Sequence, residues 1–160
     1  MSDTKKLAII ATKGSLDWAY PPFILSTTAA ALGYETHIFF TFYGLQVLKK
    51  DLNLQVTPLG NPGMPMPMGM DKWFPVIGTA LPGMQSMMSM MMKQKMRSKG
   101  VASIEELRDL AIESEVQMTA CQMTVDLFDF QPSDLIDGIE YGGAATFCEF
   151  AGESDICLYM

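Results

Sequence analysis

Short apolar runs that alternate with helical segments are the feature that most restricts the fold of this chain. Lys6 to Thr12 (KLAIIAT) is almost continuously apolar, which is typical of a strand buried on both faces of a parallel sheet. Tyr34 to Phe42 is rich in aromatic and β-branched residues and predicts a second strand. The remaining predicted strands are Leu54 to Thr57, Glu115 to Ala120, Gly138 to Tyr141 and Asp155 to Met160.

The segments between these runs have helical patterns and helical end signals. Pro21 and Pro22 are predicted to fall in the first turn of a helix that Gly33 ends. Ser103 and Glu106 form a capping box at the start of a later helix. The predicted helices are Trp18 to Leu32, Leu45 to Lys50, Met84 to Ser98, Ile104 to Glu113, Gln122 to Phe128 and Gly143 to Ala151. This alternation predicts an α/β domain with a mostly parallel sheet and helices on both faces.

Length and charge restrict the class of protein further. The chain has 160 residues, which fits one domain over residues 1–160. Its formal net charge of −7 leaves no electrostatic case for binding nucleic acid, which needs clustered Lys and Arg. The chain shows no signal peptide and no run of about 18 apolar residues, so we expect a cytoplasmic protein.

A Met- and Pro-rich insertion, residues 60–100, interrupts the alternation of strands and helices. It holds most of the nine prolines, and Gly60 to Gly83 is predicted to be irregular. Alternate methionines in M-P-M-P-M-G-M (Met64 to Met70) suit Cu(I), although packing or a flexible apolar flap explains such a tract as well. The methionines of the Met84 to Ser98 helix share one face, which predicts a core or oligomer contact. Peripheral membrane contact is the alternative, because basic residues follow at Lys93 to Lys99.

The chain has three cysteines, Cys121, Cys148 and Cys157. A small, odd number of cysteines argues against a disulfide framework. The chain has one histidine, His37, in mid-strand and no Cys-x-x-Cys pair, so a zinc site is not expected. We expect no cofactor. Cys148 and Cys157 are interpreted as small buried apolar residues in a helix and a strand. Cys121 differs from them, because it stands where a predicted strand ends and a helix begins.

That junction gives Cys121 a physical reason to be a thiolate. Backbone N–H groups at a helix start lower the pKa of a thiol, and they would also stabilise the terminal sulfur anion of a persulfide. The loops after the first three main strands should meet if those strands are neighbours in the sheet. The candidate substrate-binding residues on these loops are Lys13, Gly14, Tyr43, Gly44, Gln122 and Met123. Lys13 is also a candidate for activating the thiol. Burial of Cys121 as an ordinary core residue remains the alternative.

The chain resembles the DsrE/DsrF-like family of sulfur-trafficking proteins over almost its whole length. The resemblance rests on T-K-G-S-L-D after the first strand, on I-F-F-T-F-Y-G-L, on the Met-rich insertion, and on A-C-Q-M-T-V-D-L followed by L-I-D-G-I-E-Y-G-G-A-A. It implies a flavodoxin-like parallel sheet and assembly into oligomers, commonly trimers or hexamers. It also implies that Cys121, which matches the family's cysteine, accepts sulfane sulfur from a donor and hands it to an acceptor protein. It assigns no role to Cys148 or Cys157.

Two hypotheses for the function follow. In the first, the protein is a sulfurtransferase or sulfur carrier that holds sulfur on Cys121 as a persulfide. In the second, it is a non-catalytic binding or assembly protein whose Met-rich segment contacts Cu(I), a membrane surface or a partner.

Overall fold

A five-stranded parallel sheet organises the structure, a computed structural model that describes residues 4–57, 78 and 80–160. The strands are β1 (Lys6–Ala11), β2 (Glu35–Phe40), β3 (Gln117–Cys121), β4 (Glu140–Gly142) and β5 (Ile156–Tyr159). Their order across the sheet is β4-β3-β2-β1-β5, and each neighbouring pair is parallel. The carboxyl ends of β1, β2 and β3 therefore lie side by side at one edge of the sheet. This meets the condition under which the loops after these strands are expected to meet.

Helices cover both faces of this sheet. The α-helices are α1 (Leu16–Ala31), α2 (Met84–Ser98), α3 (Ile104–Glu113), α4 (Gln122–Leu127) and α5 (Ala144–Gly152). Phe39 and Phe40 point to opposite faces because side chains alternate along β2. The Phe40 ring lies 6.0 Å from Phe23 of α1, and the Phe39 ring stacks 5.1 Å from Phe147 of α5.

The predicted fold class, α/β with a parallel sheet and helices on both faces, is confirmed. Flavodoxin itself has the strand order 2-1-3-4-5, so the order 4-3-2-1-5 is a variation on that architecture. In this order β2 lies between β1 and β3, so the loops that follow these three strands are neighbours.

Several predicted elements agree closely with the structure. The bounds of α2 and α3 are those predicted, and both hydrogen bonds of the capping box form. Glu106 Oε2 accepts from the Ser103 N–H at 2.7 Å, and the Glu106 N–H donates to Ser103 Oγ at 3.2 Å. A local end signal fixed the start of α3, since both hydrogen bonds join residues only three apart.

The predicted strand at Leu54 to Thr57 is wrong. The Val56 N–H donates to Ser89 Oγ at 3.0 Å, and the Val56 carbonyl accepts from Gln85 Nε2 at 3.1 Å. Both partners are side chains of α2. The backbone polar groups of this apolar segment are thus satisfied without a neighbouring strand.

Two helix predictions also need correction. The predicted helix at Leu45 to Lys50 is a 3-10 segment, Phe42–Leu48, that begins directly after β2. Helix α1 begins at Leu16, so Pro21 and Pro22 lie inside it and not in its first turn. Each proline removes a backbone donor within the helix.

The chain divides into two compact units. The first contains residues 1–14, 18–53 and 103–160, which include the whole sheet, and the second contains residues 15–17 and 54–102. The prediction of a single domain with an insertion at 60–100 stays a prediction. Most of Gly60 to Gly83 lies outside the described residues.

Candidate functional site

Cys121 occupies the predicted junction between strand and helix. It is the last residue of β3 and the N-cap of α4, with extended backbone angles of φ −65° and ψ 113°. Its side chain faces the same side of the sheet as Ala8, Phe39 and Phe147 and forms a buried cluster with them. Only 5% of Cys121 is exposed. The thiol is therefore largely screened from water.

Four hydrogen-bond donors nevertheless favour the thiolate of Cys121. Burial is the largest single influence and raises its pKa. The hydroxyl and N–H of Thr124, the hydroxyl of Thr41 and the N–H of Met123 together outweigh burial, so the pKa of Cys121 is lowered overall. The thiol makes no cap hydrogen bond of regular geometry, which fits a neutral thiol because its sulfur is a weak acceptor. The four donors thus stabilise the Cys121 thiolate relative to the neutral thiol.

The two threonine hydroxyls are held in place by a strained backbone. Phe42 adopts a φ of +48°, a left-handed conformation that is unfavourable for a bulky residue. Its N–H donates to Thr124 Oγ1 at 3.2 Å, and Thr41 Oγ1 lies 3.2 Å from the same oxygen. The segment after β2 and the first turn of α4 are thereby joined beside the sulfur.

Two glycines let the loops after β1 and β2 approach each other closely. The Gly44 N–H donates to the Thr12 carbonyl at 3.1 Å. A Cβ added to Gly44 would overlap the carbonyl group of Ala11, and one added to Gly14 would overlap the carbonyl oxygen of Tyr43. The structure therefore gives both of these predicted site residues a part in positioning the loops.

Arg108 of α3 holds the far end of the 3-10 segment. Its Nη1 donates to the carbonyl of Val47 at 3.1 Å and to that of Lys49 at 2.7 Å. Because the guanidinium is buried, these two bonds fix the segment that begins at Phe42.

Two predicted site residues make other contacts. The Lys13 ammonium lies 3.1 Å from the centroid of the Trp18 ring, and Lys13 is not among the groups that shift the pKa of Cys121. Gln122 is not among them either; its side-chain amide donates to the Asp126 carboxylate at 2.7 Å. The Met123 N–H is one of the donors that lower the pKa of Cys121, and the Met123 side chain is exposed.

Four aromatic residues, Phe42, Tyr43, Phe128 and Phe130, form what we call the aromatic cluster. The Tyr43 and Phe128 rings stack 5.8 Å apart, and Phe42 and Phe130 meet the Phe128 ring edge-on at 6.5 and 6.2 Å. Of these four residues, only Tyr43 is one of the site residues predicted from the sequence. The available signal was an aromatic pair directly after β2 and the F-D-F triplet after α4.

An open groove of about 640 Å³ adjoins this cluster, and we call it the acidic groove. It is lined by Gln122, Val125, Asp126, Asp129, Phe130, Gln131, Pro132 and Tyr141. Tyr141 lies on β4 in register with Ala120, next to Cys121 on β3. The groove therefore runs beside the end of the strand that carries the cysteine.

Comparison with known proteins places the chain in a family. A family model described as DsrE/DsrF/DrsH-like matches residues 3–159. The protein belongs to this family. It is 78% identical over 158 residues to the sulfur carrier protein DsrE2 of Allochromatium vinosum, with 99% of each chain covered. It is 31% identical over 163 residues to the uncharacterized protein YrkE of Bacillus subtilis, with 98% of each chain covered.

A solved structure supports the fold of this DsrE/DsrF/DrsH-like protein. The crystal structure of the YchN protein from E. coli matches with a TM-score of 0.56 and covers 98% of this chain and 100% of its own. Sequence identity is 12%, so this likeness concerns the fold alone.

The other two cysteines of this family member are exposed, which contradicts their interpretation as buried residues. Cys148 follows Phe147, the one buried residue of α5, and is itself exposed. Cys157 lies on β5, an edge strand whose residues are mostly exposed. His37 is buried, with Nε2 2.8 Å from Thr119 Oγ1, and burial lowers its pKa.

The Met-rich part of this DsrE/DsrF/DrsH-like chain is described only in its second half. Met64 to Met70 lie outside the described residues. On α2, Met88 is buried whereas Met87, Met90 and Met91 are exposed. Among residues 4–57, 78 and 80–160, no helix is long and apolar enough to cross a membrane, and no three metal-binding side chains are grouped.

Proposed function

We propose that the protein is a sulfur carrier, or sulfurtransferase, that accepts sulfane sulfur on Cys121 as a persulfide and passes it to a partner thiol. The observation that carries this proposal is the set of donors around Cys121, which lowers its pKa despite burial. Family membership and the 78% identity to a protein named as a sulfur carrier support the choice of sulfur over other thiol chemistry. They do not favour the alternative, a non-catalytic protein acting through its Met-rich segment.

The proposed transfer is a pair of thiol exchange steps without net redox change. The Cys121 thiolate attacks the outer sulfur of a donor persulfide, a new S–S bond forms, and the donor's S–S bond breaks. The donor thiolate leaves with the electron pair. A partner thiolate then attacks the outer sulfur on Cys121, and the Cys121 thiolate is the leaving group. A lowered pKa helps Cys121 in both roles, because it increases the thiolate fraction and improves the leaving group.

The donors that favour the thiolate are also placed to bind the terminal sulfur anion of the persulfide. We assign this role to the Met123 and Thr124 N–H groups and to the Thr41 and Thr124 hydroxyls. Hydrogen bonds to a charged group are stronger than those between neutral groups. We propose that the loops after β1 and β2 shape the entrance to Cys121. Lys13 and Gly14 lie on the first loop, Tyr43 and Gly44 lie on the second, and the two glycines permit the loops to approach each other closely.

Sulfur loading of Cys121 tests the proposal directly. We expect intact-mass spectrometry to show a gain of about 32 Da, one sulfur atom, after incubation with polysulfide. The experiment needs a Cys148→Ser/Cys157→Ser background, because those two cysteines are exposed and would react on their own. In that background Cys121 is the one remaining thiol.

The matched control adds Cys121→Ser to the same background and is expected to gain no mass. Radiolabelled sulfur should leave the loaded protein when an excess of small thiol is added. Absence of the adduct on the protein with Cys121 alone would falsify the proposal, and so would equal labelling of the serine variant.

Assembly and location are further proposals. We propose that the protein works in the cytoplasm as a homo-oligomer, a trimer or hexamer. We place any peripheral membrane contact on α2, where exposed Met87, Met90 and Met91 adjoin a basic last turn. Light scattering should give a mass of three or six chains, and cell fractionation should recover the protein with the cytosol. A monomer, or recovery in the periplasm, would contradict these proposals.

A further inference from the structure

We propose that the aromatic cluster and the acidic groove form a docking surface for one kind of occupant. That occupant is a segment of a partner protein in which basic and apolar residues flank a cysteine. This inference rests on the proposed function, because it names the partner that exchanges sulfur with Cys121.

The surface is unusually apolar for an exposed position. Tyr43 of the aromatic cluster is 63% exposed, and Phe42 and Phe128 are also exposed. These side chains come from the segment after β2 and from α4 with its following turn, the two elements that surround Cys121. Contiguous exposed aromatic and aliphatic residues are typical of protein interaction sites, and aromatic side chains dominate binding energy there.

The charge of the surface selects the partner. Asp126 and Asp129 line the acidic groove, and none of the described residues that line it is Lys, Arg or His. Neither aspartate takes part in an ion pair within the described part of the chain. Among the described residues, the one polar contact of the Asp126 carboxylate is with the neutral amide of Gln122, which does not compensate its charge. A cationic segment would neutralise both carboxylates and would be steered towards the groove.

The same charges argue against a second copy of this chain on the surface. A two-fold contact pairs the same patch of both subunits, so the acidic groove of one chain, with Asp126 and Asp129, would lie against the acidic groove of the other. A chain with a formal charge of −7 adds to that repulsion.

Continuity with Cys121 explains why the bound segment should carry a thiol. Gln122 lines the acidic groove and follows Cys121 directly, while Tyr141 lines it from the neighbouring strand. A segment lying in the groove and over the aromatic cluster therefore passes the end of β3. Because Cys121 is largely buried, a thiol that a bound segment holds beside it should react faster than a small thiol free in solution.

Two synthetic peptides test the docking surface without sulfur chemistry. Both contain the same apolar residues and a serine at the cysteine position. Lysine and arginine flank the serine in one, and glutamate in the other. We expect fluorescence anisotropy at low ionic strength to show at least about tenfold tighter binding of the basic peptide, with a difference that shrinks as salt is added.

Matched variants locate the binding. Asp126→Asn combined with Asp129→Asn should remove the preference for the basic peptide, whereas Asp51→Asn, an exposed aspartate elsewhere, should keep it. Phe128→Ala should weaken binding of the basic peptide about tenfold or more. Tyr159→Ala, which removes a ring that is 74% exposed on β5, should not.

Equal binding of the two peptides overturns the proposal, as does binding of neither. It is also overturned if the control variants weaken binding as much as the site variants do. The proposal is also overturned if Phe128→Ala dissociates an oligomer and the protein shows no preference between the peptides. The surface would then bind another copy of this chain. Sulfur loading of Cys121 is measured separately, so failure of docking and failure of the carrier function are distinguishable.

Discussion

Replacement of Gly44 by alanine is expected to lower the free energy of unfolding by about 2 to 3 kcal/mol. The added Cβ would overlap the carbonyl group of Ala11, which belongs to the backbone of β1 and cannot turn aside as a flexible side chain could. The loop after β2 must therefore move away from β1. That movement breaks the hydrogen bond between the Gly44 N–H and the Thr12 carbonyl.

The same movement should disturb the site. Thr41 and Phe42 lie at the start of the displaced segment, so the donors beside Cys121 lose their alignment. We expect slower alkylation of Cys121 at neutral pH in the Cys148→Ser/Cys157→Ser background. Urea unfolding, monitored by circular dichroism, gives the free energy of unfolding. The slope of this free energy against urea concentration shows whether the denatured state has changed.

Gly152→Ala is the matched control, because a Cβ at this position in α5 meets nothing within 4 Å. It should leave stability unchanged or raise it by up to about 1 kcal/mol through better helix propensity. If Gly44→Ala has the same midpoint of urea unfolding as wild type, the loops after β1 and β2 can separate with little loss of stability. Their close contact would then not hold the site together.

Elements with local signals were predictable from the sequence. Helix α3 begins at its capping box, and both bonds of that box join residues three apart. The three main strands could be recognised because each is apolar or aromatic over most of its length. Leu54 to Thr57 shows the limit of this approach. Its apolar residues suit a strand, but its backbone bonds to the side chains of Gln85 and Ser89, about thirty residues further along the chain.

The candidate site was predictable only in part. Cys121 and the Met123 N–H follow from a strand-to-helix junction, which is a local feature. Thr41 and Thr124 are 83 residues apart and meet only because β2 and β3 are neighbours. Lys13 was proposed to activate the thiol from topology alone, but its ammonium group lies over the ring of Trp18. Contacts between side chains on different loops depend on rotamers that no sequence pattern specifies.

Thr124→Val should raise the pKa of Cys121 and slow its alkylation by iodoacetamide at neutral pH by about tenfold. The substitution keeps the shape of the side chain but removes the hydroxyl, the largest of the influences that lower this pKa. A hydrogen bond to a charged group is worth about 1.5 to 3 kcal/mol, which supports a change of this size. The midpoint of the pH–rate profile reports ionisation, whereas the rate at high pH reports access to the thiol.

Thr124→Ser keeps the hydroxyl and should keep the wild-type midpoint. Thr28→Val is the second control, because it removes an exposed hydroxyl that bonds only within α1. A Thr124→Val profile that coincides with the wild-type profile would show that the hydroxyl does not stabilise the thiolate.

Stability measured against pH tests the same interaction without a reagent. The pKa of Cys121 is lower in the folded protein than in the unfolded chain, so the unfolded chain binds more protons between the two values. The stability that the thiolate contributes is therefore fully present above the unfolded pKa of about 8.5. It is lost as the pH falls through the folded pKa. Wild type should accordingly gain stability over Cys121→Ser as the pH rises through this window, and Thr124→Val should gain less. A difference between wild type and Cys121→Ser that stays constant with pH would mean that the donors around Cys121 do not act on its charge.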